Sequence, residues 1–206
     1  MPPEFSFRPG QYLEVLHADG GIPMSIASAP WRLPELHLHY RSTPGMIEAT
    51  RMDELLSSAP TLRIAGPAGD VSLPDVPSCP ILLVAGGTGV SQALSFIDHW
   101  NRLPPRTRVT LLWCVDEEAD WYLGSRLTDA SWLETVCIAD ANRSSENRGL
   151  AWLRRHGNEF AGVGQVVLCG GPAFVHAASD ALAAAGVAPE QMRSDVFSYA
   201  PRTPRG

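Results

Sequence analysis

Apolar and polar residues alternate over short runs in the first third of the chain, then give way to unbroken apolar runs. Gln11–Leu16, Ile22–Ala27, Glu35–Arg41 and Thr61–Ile64 show partial period-2 alternation between turns rich in glycine and proline. Each predicts a half-buried β-strand, and Val71–Leu73 adds a fifth candidate. Residues 46–56 place Met46, Ala49, Met52, Leu55 and Leu56 on one stripe at helical spacing. Prolines at 74, 77 and 80 then interrupt the pattern and mark residues 74–80 as a linker.

From Ile81 onward the character changes. Ile81–Ala85, Val109–Val115, Thr135–Ala139 and Val166–Cys169 are short apolar runs suited to strands buried on both faces. Helical patterns alternate with them: Val90–Trp100, the stretch around Glu117–Arg126, Leu150–His156 and Ala173–Ala185. Strand–helix alternation of this kind predicts a doubly wound, Rossmann-like parallel sheet. The chain therefore divides into a β domain over 1–73, the linker, an α/β domain over 81–200 and a flexible tail over 201–206.

Composition narrows the chemistry. The 206 residues include 16 arginines and no lysine, which excludes a Schiff-base lysine and a P-loop. The arginines are dispersed and the net charge is −6, so nucleic acid is not an expected partner. Cys79, Cys114, Cys137 and Cys169 form no C-x₂₋₄-C pair, and His37 and His39 share a strand face without a third close ligand, so no metal is expected. The first residues lack the basic and apolar regions of a signal peptide, and no apolar run is long enough for a membrane helix. A cytoplasmic protein without membrane association is the expectation.

Candidate chemistry lies in three turns at the carboxyl ends of predicted parallel strands, where open α/β sheets bind ligands. Ala85-Gly86-Gly87-Thr88-Gly89 opens a helix and suits a phosphate, although Gln92 stands where a third fingerprint glycine would fall. A tight turn without ligand gives the same pattern. Asp116 ends the second of these strands and suits either ribose hydroxyls or a helix cap. Gly170-Gly171-Pro172 is the third turn, preceded by Cys169, which is either reactive or an inert buried thiol.

Taken in order, Phe7–Leu13, Pro23–Pro30, Gly66–Gly69, Leu83–Gly89, Trp113–Tyr122 and Cys169–Pro172 resemble the ferredoxin–NADP⁺ reductase superfamily, with the NAD(P)H–flavin oxidoreductase branch most similar. The resemblance implies an antiparallel flavin-binding β-barrel, incomplete at its N-terminus, followed by an NAD(P)H-binding domain. It implies an enzyme passing hydride from NADH or NADPH to FAD or FMN, the flavin being weakly bound or a substrate, with an electron-acceptor protein as a further partner. Ser25 and Cys169 become the candidate catalytic residues. Pro23, Met24, Ser25, Ala27 and Ser28 would face the flavin, and Gly86, Gly87, Thr88, Gly89, Asp116, Gly170 and Pro172 the nicotinamide dinucleotide. Asp116 without an arginine in its own turn favours NADH.

Departures qualify this. Ile22 occupies the position of the family's phosphate-pairing arginine and Met24 that of its stacking aromatic, so flavin binding should be weak. They also leave open a member that has lost flavin chemistry and binds only a nucleotide or a partner. Relatives usually carry two more strands before Phe7. Without them Gln11–Leu16 should present an unpaired edge, which a homodimer would cover.

Overall fold

The computed structural model describes residues 5–123, 127, 130–140, 147–162 and 164–202. Period-2 alternation buries Leu13 and Val15 of β1 (Tyr12–His17) completely. β2 (Gly20–Ser25) folds back antiparallel and sets Ile22 opposite Val15. β3 (Ile64–Ala68) pairs antiparallel with the other side of β1, giving the order β2-β1-β3. One face is closed by α1 (Ile47–Ser58), whose Met52 packs with Leu13, Val15, Ile22, Ile26 and Phe7.

Three strands do not close a barrel, and two strand expectations fail for a common reason. Over Glu35–Arg41 the chain makes a single bridge, Leu38 to Ile26, because the His37 N–H goes to Ser28 Oγ at 3.1 Å. Residues 71–73 form no strand either; the N–H groups of Asp70 and Val71 go to the Asp195 carboxylate. Side chains have taken donors that a ladder needs. The third strand of the sheet starts at Ile64, where the sequence predicts an end. The open-edge expectation for residues 11–16 is also overturned. β1 is the central strand, paired on both sides, so the ground for a homodimer covering it is gone.

The second unit follows its pattern closely. β4 (Ile81–Gly86), β5 (Val109–Val115), β6 (Leu133–Ala139), β7 (Gln165–Cys169) and the two-residue β8 (Met192–Arg193) form a parallel sheet in the order β6-β5-β4-β7-β8. β4 is wholly apolar because it feeds two cores. Ile81, Leu83 and Ala85 pack with α2 (Val90–Arg102), while Leu82 and Val84 pack with α3 (Arg148–His156) and α4 (Pro172–Ala184). The stretch around Glu117–Arg126 shows one 3₁₀ turn at Glu118–Asp120; residues 124–126 lie outside the described residues, as do 203–206 of the expected tail. Residues 74–80 carry no strand or helix. α5 (Val196–Tyr199), too short to show a periodicity, ends the fold.

α2 joins the two units through a polar face with a spacing of three. Gln92 Nε2 donates to the Gly10 carbonyl at 2.6 Å and Ser95 Oγ to the Ser28 carbonyl at 2.9 Å. Asp98 accepts from Ala29 N at 2.8 Å and from both ends of the Arg32 fork at 2.5 and 2.7 Å. The hydrogen bonds from Arg32 to Asp98 hold the guanidinium above its ordinary pKa. A bidentate, partly buried pair of this kind fixes orientation as well as adding stability.

Candidate functional site

A continuous cleft runs along the carboxyl ends of the parallel strands and ends against β2. One part of it, a cavity of about 500 Å³, is lined by Gly86, Gly87, Asp116, Asp140, Asn147 and Phe174, among others. Gly86 also lines a cavity of about 200 Å³, where Pro23, Met24 and Ser25 face Thr88, Gly89 and Gly170. Pro23, Ser25 and Gly170 in turn belong to a cavity of about 390 Å³ with Tyr12, Gln92, Asp195 and Tyr199. The two units thus meet at Ser25, with the glycine loop opposite.

The loop has its shape for steric reasons. Gly87 has a φ of +53°, in the left-handed region that glycine tolerates best, and its carbonyl accepts from Trp113 Nε1 at 3.0 Å. A Cβ at Gly89 would lie 2.6 Å from the Cys169 carbonyl oxygen, so only glycine lets α2 start this close to β7. Ser91, in the first turn of α2, is buried and lines the 200 Å³ cavity, and its hydroxyl has no hydrogen-bond partner. Such an orphaned group suits a site that receives a polar ligand.

The residues expected from the sequence divide into two groups. Pro23, Met24, Ser25, Gly86, Gly87, Thr88, Gly89, Asp116 and Gly170 line the cleft. Ala27, Ser28, Cys169 and Pro172 are not among its lining residues. Ser28 is buried, its hydroxyl bound to His37 N and its carbonyl to Ser95. Pro172 opens α4, where its missing N–H costs nothing. The Cys169 thiol sits in the core, 2% exposed, and burial pushes its pKa far above the ordinary thiol value. A thiol so placed is shielded from solvent, and its carbonyl lies against Gly89 at the start of α2.

Several residues at the site have no local signature in the sequence. Gln92, at the missing-glycine position, donates from Nε2 to both Gly10 and Asp195, the latter at 2.8 Å. Burial raises the Asp195 pKa, and the Gln92 hydrogen bond opposes that shift. His39 lines the 200 Å³ cavity, with Nδ1 2.6 Å from the Tyr122 hydroxyl. Burial, and after it His37, lowers the pKa of His39, while burial pushes that of Tyr122 up to about 12. Tyr122 stands edge-on to Trp113, completing a chain of contacts from His39 to Gly87. Arg41 Nη1 lies 3.7 Å from Asp116 and 3.1 Å from Asp120, so the arginine missing from the turn itself arrives from the first unit.

The pieces of a flavin site fit unequally. Ser25, the orphaned Ser91 hydroxyl and the facing glycines suit a polar ring system between the units. Position 22 does not suit a phosphate: Ile22 is 5% exposed and packs in the core against Leu13, Val15 and Met52.

No family profile matches the chain. It is 30% identical over 209 residues to the terephthalate 1,2-dioxygenase reductase component 1 of a Comamonas species, covering 95% of this chain and 60% of that protein. It is 29% identical over 212 residues to a probable flavin reductase of Vibrio harveyi, covering 95% and 89% respectively. Among solved structures it superposes on an Amycolatopsis cytochrome P450 reductase with a TM-score of 0.76 at 24% identity, over 93% of this chain and 61% of that one. The chain spans about three fifths of the length of the two terephthalate dioxygenase reductase components it matches. In fold the chain matches the Amycolatopsis reductase, and in sequence it is similar to flavin reductases and to dioxygenase reductase components.

Proposed function

We propose that the chain is an oxidoreductase that transfers hydride from a nicotinamide dinucleotide to a flavin, FAD or FMN, taken up weakly or as a substrate. One observation carries this reading: Ser25, at the end of β2, shares a cavity with Gly86, Thr88, Gly89 and Gly170 of the α/β unit. The flavin would supply the hydride-accepting chemistry when bound. Ser25 then offers a hydroxyl to its ring, and the glycines let a nicotinamide approach without a side chain between. Gln92 and Asp195 form the polar wall of the adjoining cavity. The contacts of α2 with the first unit hold the two halves in register, which is the positioning such a reaction requires.

NADH is the favoured donor in this proposal, because Asp116 and Asp140 both line the dinucleotide cavity and oppose an added phosphate, with Arg41 offsetting part of the Asp116 charge. An acceptor protein downstream of the flavin is a natural partner, since the Comamonas relative is named as the reductase component of a dioxygenase. The buried Ile22 favours a second reading, a nucleotide- or partner-binding module without flavin chemistry. NADH oxidation by the purified chain, with and without added FMN, FAD or riboflavin, separates the two. Flavin-dependent oxidation that drops about tenfold or more in Ser25→Ala, the loss of one hydrogen bond at the reacting ring, supports the first. NADH binding without oxidation supports the second.

A further inference from the structure

The polar face of α2 that meets the first unit continues past its last protein contact. Asp98 accepts from Ala29 N, and Ser95 Oγ donates to the Ser28 carbonyl. Four residues before Ser95, about 6 Å along the helix and on the same face, stands Ser91. Here the first unit no longer offers a backbone group. Ser91 and Ser25 both line the 200 Å³ cavity instead.

The Ser91 hydroxyl is a buried polar group with nothing to bond. The residue is 2% exposed, and its oxygen has no hydrogen-bond partner. Ser25 and Thr88, on the walls of the same cavity, are more exposed and can turn to solvent. An unmade bond of this kind disfavours the empty site and favours a ligand that completes it. Ser91 does not line the 500 Å³ cavity where Asp116 and Asp140 stand, and among the described residues no arginine lines the 200 Å³ one. The group that Ser91 receives is therefore neutral, and belongs to the ring end of a dinucleotide and not to its diphosphate. A nicotinamide ring carries one polar substituent, a carboxamide with a carbonyl acceptor and an N–H₂ donor. A serine hydroxyl both donates and accepts, so it can meet either side of that group.

We propose that Ser91 Oγ holds the carboxamide of a bound nicotinamide and so sets how the ring is turned in the cleft. Ser91 is a positioning residue in this account: it touches no reacting atom, and it fixes the orientation that a hydride donor needs. This inference rests on the dinucleotide half of the proposed function and not on flavin chemistry.

Titration calorimetry of the full chain without flavin tests it, with NAD⁺ and with ADP-ribose, which keeps the adenosine, the diphosphate and the second ribose but lacks the nicotinamide. Ser91→Ala should bind NAD⁺ about 3- to 10-fold more weakly than wild type, the range for one neutral hydrogen bond, and ADP-ribose equally well. Its unfolding midpoint without ligand should be unchanged or raised, because the hydroxyl it loses has no partner in the fold. Unchanged NAD⁺ affinity, an equal loss for both ligands, or a lowered midpoint overturns this inference alone. A wild-type chain that binds neither ligand overturns it together with the proposed function.

Discussion

The Gln92 side-chain amide lies 2.8 Å from the Asp195 carboxylate, 103 residues further along the chain. The same nitrogen donates to the carbonyl of Gly10, so one residue of α2 ties the first unit to the last helix beside the cleft. A nucleotide-binding loop with a third glycine at this position would lose that tie. The departure from the fingerprint is therefore a structural gain here.

Replacing Gln92 by alanine strips a partly buried carboxylate of one donor and leaves the Gly10 carbonyl without this partner. A loss of about 1.5–3 kcal/mol in urea unfolding is expected, the usual cost for a hydrogen bond to a charged group. A change below about 0.5 kcal/mol, the size of an ordinary surface substitution, contradicts this.

Asp195 should make stability depend on pH in a stated direction. Burial, its largest influence, raises the folded-state pKa above the unfolded value. Its contribution is full below the ordinary carboxylate range and is lost as pH rises through the raised value. Against Asp195→Asn, which does not titrate, the wild type should lose relative stability with rising pH and then level off. Urea midpoints of both proteins across that range check it, and a constant difference contradicts it.

The two loop glycines should fail differently. Alanine at Gly89 meets backbone atoms of Cys169 and Gly170 at 2.6–2.7 Å, which cannot move without disturbing β7. Alanine at Gly87 meets nothing within 4 Å and suffers only the left-handed backbone, a penalty of about 1–2 kcal/mol. Gly89→Ala should therefore lower the unfolding midpoint more than Gly87→Ala. The reverse order would show that the loop can shift away from β7.

How much of this is legible in the sequence depends on the range of the interaction. β4 and α4 are evident from Ile81–Ala85 and Ala173–Ala185 because burial on two faces, or on one stripe, is written into consecutive residues. The glycine loop follows from its place after β4. Gln92, Asp195, His39 and Arg41 are not legible, because their roles come from partners 79 to 103 residues away. The same kind of capture removed strands: Ser28 and Asp195 take N–H groups that alternation alone assigns to a ladder.

Ile22 illustrates a correction with practical consequence. Placing an arginine there to restore the family's phosphate contact would put a charge among Leu13, Val15 and Met52. Ile22→Arg should cost about 3–5 kcal/mol, the range for an uncompensated buried charge. Loss of cooperative unfolding, or a sharply lowered midpoint, is expected. A variant as stable as the wild type and with tighter flavin binding would place residue 22 outside the core.

Thiol labelling gives an independent check on burial at the site. Cys137 is exposed and Cys169 is 2% exposed; burial holds the pKa of Cys114, which lines the 500 Å³ cavity, up to about 12. Native protein treated with iodoacetamide should be alkylated first at Cys137 and remain unmodified at Cys169 until it unfolds. Early modification of Cys169 would reopen the case for a reactive thiol at that position.

The central claim is that the cleft brings a nicotinamide and a flavin into hydride-transfer contact at Ser25. The most direct measurement is anaerobic: the chain is mixed with excess FMN or FAD, NADH is added, and the visible flavin absorbance is followed. The account predicts bleaching that depends on the protein and is slowed in Ser25→Ala at saturating NADH. Flavin that stays oxidised while NADH binds normally would contradict it and leave a nucleotide-binding module.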